Sequence, residues 1–322
     1  MSTVAVLGEG AWGTAISTLL VSNGHTVFLW CHDPKVQETI EATRVNERYL
    51  PGIHLSKKII PVVNINEAIM QGTIVFETTP IKYLRSVLTK IPAQDVANKP
   101  WVVLSKGIEK ESLLVGSEIL RDVLGKDIEY SVCFGPSFAH ELAQKHYTGV
   151  MVASDEPNRA QKIQEVLENS YFKTFYCSDP YGVQLCGALK NVIALCIGML
   201  AGAGYGQNTG AFIITRGLQE MAVLVEAYGG KKETVYDLAG MGDLILTALS
   251  KQSRNFQTGY LLGQGKKLST ILQETGMIPE GINTLESVRQ LMQQKQLVLP
   301  ILSGTYEVIF NDMHISDFFK LL

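Results

Sequence analysis

The feature that most constrains this chain is a glycine-rich turn near its beginning, G-E-G-A-W-G at residues 8–13. It follows a short apolar run, residues 4–7, and opens a helix-like segment that ends at an Asn-Gly pair. A strand, a G-x-G-x-x-G turn and a helix in succession form the fingerprint of dinucleotide-binding folds. Gly8 permits the tight turn, Gly10 lets backbone amides approach a pyrophosphate, and Gly13 lets the helix and strand pack closely. A plain glycine turn is the alternative interpretation.

The end of the second apolar run carries residues suited to an adenosine ribose. Asp33 lies about twenty positions past the last glycine, where an acidic residue commonly accepts a hydrogen bond from the ribose 2′-hydroxyl. His32 beside it is a donor for a 2′-phosphate, or alternatively an exposed loop histidine. The pattern therefore leaves both NAD and NADP open.

Short apolar runs alternate with helix-like segments through the first half of the chain. This alternation predicts an α/β domain with a Rossmann-like, doubly wound, mainly parallel sheet. After Ser-Asp-Pro at residues 178–180, strand-like runs nearly vanish. We therefore expect a dinucleotide-binding domain at residues 1–179 and an all-α C-terminal domain for substrate binding and catalysis at residues 180–322. The segments predicted to be helical are 11–22, 83–90, 111–123, 181–203, 211–228, 243–248, 255–263, 284–294 and 301–309.

Composition excludes several classes of protein. Apolar residues make up 46% of the chain, enough to bury a large core and to argue against disorder. The net charge of −3 argues against a nucleic-acid or membrane-surface binder. Five cysteines without a C-x-x-C pair indicate reduced thiols in the cytoplasm, with no metal site. The most apolar stretch, residues 183–203, contains Lys190 and Asn191, which favours a buried helix over a membrane span.

Lys190 is the only formally charged residue between positions 180 and 215. Burial disfavours an ammonium group and lowers its pKa toward the range of a general acid or base. Asn191 beside it can orient a substrate oxygen, and a surface lysine with its stem on apolar neighbours is the alternative. On a helix, Asp243 and Thr247 share a face. Asp243 is thus a candidate partner of Lys190, or alternatively the N-cap of its own helix.

Ser253, Arg254 and Asn255 stand just before another helical stretch. A guanidinium with small polar donors at a helix N-terminus is typical of a phosphate site. An exposed polar loop is the alternative interpretation.

Two further polar motifs follow apolar strands of the first domain, S-K-G at residues 105–107 and G-P-S at residues 135–137. Doubly wound sheets bind ligands outside the carboxyl ends of their strands. Lys106 is therefore a candidate ligand for a carbonyl or phosphate group. Ser137 either serves the same site or caps the helix predicted at residues 138–143.

In this order the motifs resemble those of the bacterial NAD(P)-dependent glycerol-3-phosphate dehydrogenases, from about residue 4 to residue 310. At residues 78–81 the chain has T-T-P-I where family members often have V-P-S, and Ser137 stands where threonine is common. The resemblance is carried by G-E-G-A-W-G-T at 8–14, S-K-G at 105–107, G-P-S-F-A at 135–139, G-V-Q-L-C-G-A-L-K-N at 182–191, I-T-R-G-L at 214–218, G-M-G-D-L at 240–244, S-R-N at 253–255 and P-E-G at 279–281.

The resemblance implies reduction of dihydroxyacetone phosphate to sn-glycerol 3-phosphate, a step that feeds glycerophospholipid biosynthesis. It implies NADPH or NADH as the coenzyme, with a slight preference for NADP, no metal, and a cytoplasmic homodimer. Lys190 is then the proton donor/acceptor, and the expected catalytic group is Lys190, Asp243, Lys106, Asn191 and Thr247. The expected substrate contacts are Lys106, Gly135, Ser137, Lys190, Asp243, Ser253, Arg254 and Asn255. The expected coenzyme contacts are Gly8, Gly10, Ala11, Trp12, Gly13, His32, Asp33, Tyr49, Lys106, Ala139, Arg254, Ile278 and Glu280.

Two other functions remain as alternatives. Another two-domain dehydrogenase, acting on a 3-hydroxyacid or a ketopantoate-type substrate, would share the fold, but the phosphate motif at residues 253–255 speaks against it. A catalytically silent nicotinamide-binding sensor would have no use for Lys190, Asp243 and Arg254 together.

Overall fold

The computed structural model describes residues 2–96, 99–276 and 278–322. The chain divides into two compact units. The first consists of Met1–Ser105 and Gly116–Pro180, and the second of Lys106–Val115 and Tyr181–Leu322. The predicted domain 1–179 therefore differs from the first unit mainly in residues 106–115, which belong to the helical unit.

The first unit alternates strands with helices. Its strands are β1 (Thr3–Leu7), β2 (Thr26–Trp30), β3 (Val45–Asn46), β4 (Leu50–His54), β5 (Ile59–Val62), β6 (Ile74–Glu77), β7 (Trp101–Val103), β8 (Tyr130–Phe134), β9 (Thr148–Ala153) and β10 (Phe172–Cys177). Its helices are α1 (Ala11–Ser22), α2 (Pro34–Thr43), α3 (Ile65–Gln71), α4 (Ile81–Leu88), α5 (Ala93–Val96), α6 (Gly116–Leu124), α7 (Ala139–Ala143) and α8 (Pro157–Leu167).

Eight of these strands form one sheet in the order β10-β9-β8-β7-β6-β1-β2-β5. Neighbouring strands run parallel except β8 and β9, which are antiparallel. The central strands are apolar and buried, as expected for a sheet covered by helices on both faces. Because the strands are parallel, the ends of β1, β2, β6 and β7 lie at one edge, where a doubly wound sheet binds ligands. The predicted Rossmann-like sheet is confirmed.

The second unit is helical over the described residues, which confirms the predicted all-α C-terminal region. Its elements are α9 (Pro180–Gly202), α10 (Gln207–Ala227), α11 (Lys232–Val235), a π-helical turn (Leu238–Gly242), α12 (Asp243–Leu249), α13 (Arg254–Gly263), α14 (Leu268–Thr275), α15 (Glu280–Gln294), α16 (Pro300–Phe310) and a 3₁₀ helix (Ile315–Leu321). Helix α9 is long and apolar enough to cross a membrane, but 89% of its apolar window is buried inside the structure. It is therefore the core helix of this unit.

Helices α9 and α13 meet along a glycine seam, which consists of Gly198 and Gly202 on α9 and Gly259 and Gly263 on α13. A Cβ atom at any of these positions would lie 2.0–2.2 Å from a main-chain carbonyl oxygen of the facing helix. The two helix backbones are therefore in direct contact, as in other helix pairs that pack through small residues.

Some local predictions were wrong. The helix predicted at residues 111–123 begins only at Gly116, because Leu113 has a φ of 61° and Val115 forms a β-bridge with Ile108. Ser137 does not cap α7, since Phe138 is the cap residue and the Ser137 hydroxyl donates to the Gly135 carbonyl at 2.9 Å.

Candidate active site

The glycine-rich turn joins β1 to α1 in the way the sequence predicts. Gly8 has a φ of 120°, which side-chain-bearing residues rarely adopt. A Cβ atom at Gly13 would lie 1.9 Å from the Gly8 carbonyl oxygen, so only glycine permits this approach. The Thr78 hydroxyl donates to the Leu7 carbonyl at 2.8 Å and holds the turn from the end of β6.

The start of α1 fits the pyrophosphate of a dinucleotide. Gly10 is the N-cap residue and supplies no side-chain hydrogen bond to the helix. A Cβ atom there would meet no described protein atom within 4 Å, so its surroundings leave space for an approaching ligand. The first-turn amides and the helix dipole favour an anion at this position, beside the predicted contacts Ala11 and Trp12.

The end of β2 holds the predicted ribose residues. Asp33 is the N-cap of α2, accepts a hydrogen bond from the Lys35 amide at 3.0 Å and pairs with Arg48 at 2.6 Å. Arg48 also lies over the ring of Tyr49, 5.1 Å from its centroid. His32 is exposed and contacts the ring of Trp30 edge-on. An acidic and a basic side chain thus lie together at the predicted ribose position.

In the second unit, Lys190 donates to Asp243 Oδ1 at 2.9 Å and to the Thr247 hydroxyl at 2.7 Å. Lys106 Nζ contacts the other carboxylate oxygen of Asp243 at 2.5 Å. Asp243 is therefore shared between two ammonium groups. It is the first residue of α12, and Gly242 is the N-cap, so the alternative of Asp243 as its own helix cap was wrong.

Burial and charge act against each other in this lysine cluster, Lys106, Lys190, Asp243 and Thr247. Lys190 is only 7% exposed, and burial lowers the pKa of its ammonium, with Lys106 lowering it further and Asp243 raising it. Burial alone would raise the pKa of Asp243, but the two ammonium groups together lower it. Asp243 is therefore a carboxylate, and it holds the side-chain nitrogens of both lysines.

A second polar group, which starts at Asn191 next to Lys190 in sequence, joins α9 to α13 and α15. Asn255 donates to the side-chain oxygen of Asn191 at 2.9 Å and accepts from the Gly281 amide at 2.9 Å. Asn191 in turn donates to Glu280 at 3.3 Å. The structure thus brings together three motifs that are distant in sequence: G-A-L-K-N at residues 187–191, S-R-N at 253–255 and P-E-G at 279–281. The hydroxyl of Ser253 caps α13 by accepting from the Phe256 amide at 3.2 Å.

The remaining predicted residues are placed as follows. Arg254 is the exposed first residue of α13, and Ile278 is exposed just before α15. Gly135 follows β8, where a Cβ atom would lie 2.8 Å from the Cα atom of Val150. Ala139 begins α7 and is partly buried.

Sequence reasoning missed several polar residues around the glycine turn. The carboxylate of Glu9 binds main-chain amides at the end of β2. Asn46 donates to the Glu9 carbonyl and to the Thr14 hydroxyl, both at 2.8 Å. Glu77, at the end of β6, is almost completely buried. A charged residue inside an otherwise apolar strand was the available signal for Glu77, whereas the middle position of G-x-G gives none for Glu9.

The fold and the lysine cluster define an oxidoreductase of the dinucleotide-dependent class. The family model described as NAD-dependent glycerol-3-phosphate dehydrogenase N-terminus matches residues 3–160, and the corresponding C-terminus model matches residues 179–320. The chain belongs to the NAD-dependent glycerol-3-phosphate dehydrogenase family, as the sequence predicts.

Individual relatives agree with this assignment. A glycerol-3-phosphate dehydrogenase [NAD(P)+] of Bacillus velezensis is 40% identical, over 98% of this chain and 92% of the relative. One from Bacillus cereus is 36% identical, over 98% and 94%. The crystal structure of glycerol-3-phosphate dehydrogenase from Coxiella burnetii superposes with a TM-score of 0.92 at 31% identity, covering 99% of this chain and 98% of that one.

Proposed function

We propose that this protein reduces dihydroxyacetone phosphate to sn-glycerol 3-phosphate with NADH or NADPH, and so feeds glycerophospholipid biosynthesis. The observation that carries the proposal is the lysine cluster, in which a buried lysine shares one carboxylate with a second lysine. A phosphorylated ketone needs both a proton donor for its carbonyl oxygen and positive charge for its phosphate. Membership of the family supports the choice of substrate.

In this proposal Lys190 is the general acid. As hydride adds to carbon 2, the carbonyl π electrons move to oxygen, and Lys190 Nζ transfers a proton to that oxygen. The product is an alcohol, and the lysine is left as a neutral amine that takes a proton back from solvent. Burial lowers the pKa of Lys190, which makes the transfer easier.

The other members of the cluster position Lys190 and stabilise the charge that develops on the substrate. Asp243 and Thr247 hold Lys190 Nζ in one orientation through the bonds at 2.9 and 2.7 Å. Lys106 stabilises the negative charge that develops on the substrate oxygen, an electrostatic effect that is large in a buried site. Asn191, fixed by Asn255, orients the substrate.

We assign the substrate phosphate to the start of α13. Arg254 is exposed there and supplies a guanidinium, while Asn255 and Ser253 supply polar groups. Gly135 and Ser137 are proposed as further substrate contacts from the first unit.

Bound NADH or NADPH supplies the hydride. The residues proposed to hold it are the glycine turn with Ala11 and Trp12 for the pyrophosphate, and His32, Asp33 and Tyr49 for the adenosine half. Lys106, Ala139, Arg254, Ile278 and Glu280 are proposed as the remaining contacts.

We also propose a cytoplasmic location and a homodimer. The location is supported by the five cysteines, which form no disulfide in the part of the chain that the structure describes. The dimer is supported by apolar side chains exposed on α10, among them Phe212 and Val223. Light scattering of the purified protein tests the dimer.

The decisive experiment follows the loss of reduced-nicotinamide absorbance with dihydroxyacetone phosphate, with NADH and NADPH in parallel. Lys190→Ala should reduce kcat by at least ~100-fold, the lower range for the loss of a general acid. Lys232→Ala is the matched control, since Lys232 is exposed on α11 of the same unit. Near-normal turnover of Lys190→Ala would remove Lys190 from the mechanism. Failure of the wild type to turn over this substrate, with activity on a 3-hydroxyacid, would refute the proposed function.

A further inference from the structure

Glu9, the middle residue of G-E-G, turns its carboxylate toward the end of β2. Oε2 accepts a hydrogen bond from the His32 amide at 3.0 Å, and Oε1 accepts from the Asp33 amide at 3.2 Å. The residue is only 7% exposed, and its own carbonyl is held by Asn46. The carboxylate is therefore fixed across the gap between two neighbouring parallel strands, β1 and β2.

These two amides lie where dinucleotide folds bind the adenosine ribose. Main-chain amides are among the donors that hold a phosphate group, so free amides here would favour a 2′-phosphate. In this chain the Glu9 carboxylate already accepts both of their hydrogens. A 2′-phosphate could therefore not accept hydrogen bonds from these amides, and it would meet the fixed negative charge of Glu9.

Two carboxylates and one guanidinium lie near the His32 and Asp33 amides. Glu9 and Asp33 contribute two negative charges, and Arg48, 59% exposed, contributes one positive charge that Asp33 already pairs at 2.6 Å. The pKa of the neighbouring Cys31 thiol is raised, mainly by burial and further by the negative charges of Glu9 and Asp33. A 2′-hydroxyl, by contrast, can donate to Asp33 without any cost in charge.

We propose that Glu9 is a specificity-determining residue that makes this protein prefer NADH to NADPH. It excludes the 2′-phosphate by occupying the His32 and Asp33 amides and by adding a second carboxylate to that of Asp33. The preference is opposite to the slight one for NADP that the family resemblance implies. This inference rests on the coenzyme use proposed above.

The test compares kcat/KM for NADPH and NADH in the wild type, Glu9→Gln and Glu9→Ala. The wild type should favour NADH by about tenfold or more, because like charges at close range repel strongly in a partly buried site. Glu9→Gln should move the ratio toward NADPH by about tenfold, and Glu9→Ala further, because it also frees the amides. Glu38→Gln on the exposed face of α2 removes the same charge without these contacts and should leave the ratio within about twofold.

Calorimetric binding of AMP and of adenosine 2′,5′-bisphosphate, which differ only in the 2′-phosphate, to the wild type gives a readout that does not depend on turnover of a substrate. Weaker binding of the bisphosphate supports the proposal even if dihydroxyacetone phosphate is not the substrate. Equal or tighter binding of the bisphosphate by the wild type would overturn it. A ratio in Glu9→Gln equal to that in Glu38→Gln would also overturn it.

Discussion

Replacing Glu77 with glutamine should remove a loss of stability that the wild type suffers as the pH rises from 5 to 8. Glu77 ends β6 beside the glycine turn and is 1% exposed. It accepts hydrogen bonds from the Thr79 amide at 2.5 Å and from the Ser105 hydroxyl. These bonds favour the carboxylate, but burial outweighs them and raises the pKa of Glu77 from 4.5 to about 7.

The size of the effect follows from linkage between proton binding and folding. Between pH 4.5 and about 7 the folded chain binds a proton at Glu77 that the unfolded chain has released. Stability contributed by this group is therefore present at low pH and is lost as the pH rises through the folded-state pKa. One pKa step is worth about 1.4 kcal/mol, so the full loss is about 3.5 kcal/mol, of which about 2.5 kcal/mol falls between pH 5 and 8.

Urea unfolding at pH 5, 6, 7 and 8 measures this loss directly. Tryptophan fluorescence reports on the relevant unit, because all three tryptophans, Trp12, Trp30 and Trp101, lie in the first unit. The free energy of unfolding of the wild type relative to Glu77→Gln should fall by about 2.5 kcal/mol from pH 5 to 8. Glu38→Gln should keep the wild-type slope. Parallel pH profiles for the wild type and Glu77→Gln would refute the reasoning.

Two further outcomes are expected. Arg254→Ala should raise KM for dihydroxyacetone phosphate through lost charge-assisted bonds of roughly 1.5–3 kcal/mol each. Lys251→Ala, in the exposed turn just before α13, should leave KM unchanged. An unchanged KM in Arg254→Ala would place the phosphate elsewhere. Gly259→Ala would set a Cβ atom 2.1 Å from the Leu195 carbonyl and should lower the unfolding free energy by roughly 1–3 kcal/mol or more, measured by circular dichroism. Gly210→Ala, at a helical position with open space, should instead raise the unfolding free energy by about 0.5–1 kcal/mol. Equal effects of the two substitutions would contradict tight packing at the seam.

The sequence predicts best the features whose physics is local. The glycine turn is specified by the order strand, glycines, helix, and its structure follows because Gly8 and Gly13 have no substitutes. Burial of Lys190 is predictable because a single charge lies in a long apolar helix. The alternation of strands and helices likewise predicts a mainly parallel sheet, and the structure confirms it.

Contacts between residues that are far apart in the sequence could not be predicted from local patterns. Lys106 follows a strand of the first unit, yet residues 106–115 belong to the helical unit, and its partner Asp243 is 137 positions away. The bonds from the Glu9 carboxylate cross between two strands, and no spacing rule describes them. The glycine seam did leave a signal, since each helix carries two glycines four positions apart.

The seam also bears on which substrates the protein can accept. Lys190 lies on α9, and Arg254 and Asn255, which are proposed to bind the substrate phosphate, lie at the start of α13. Because the two backbones touch along the seam, their separation is set by main-chain atomic radii and cannot be adjusted by a change of rotamer. A Cβ atom at the seam could only push the two helices apart, so a family member that carried one would hold its α9 and α13 at a larger separation. In the proposed site, four residues without side chains therefore help to set the distance between the proton donor and the phosphate contacts.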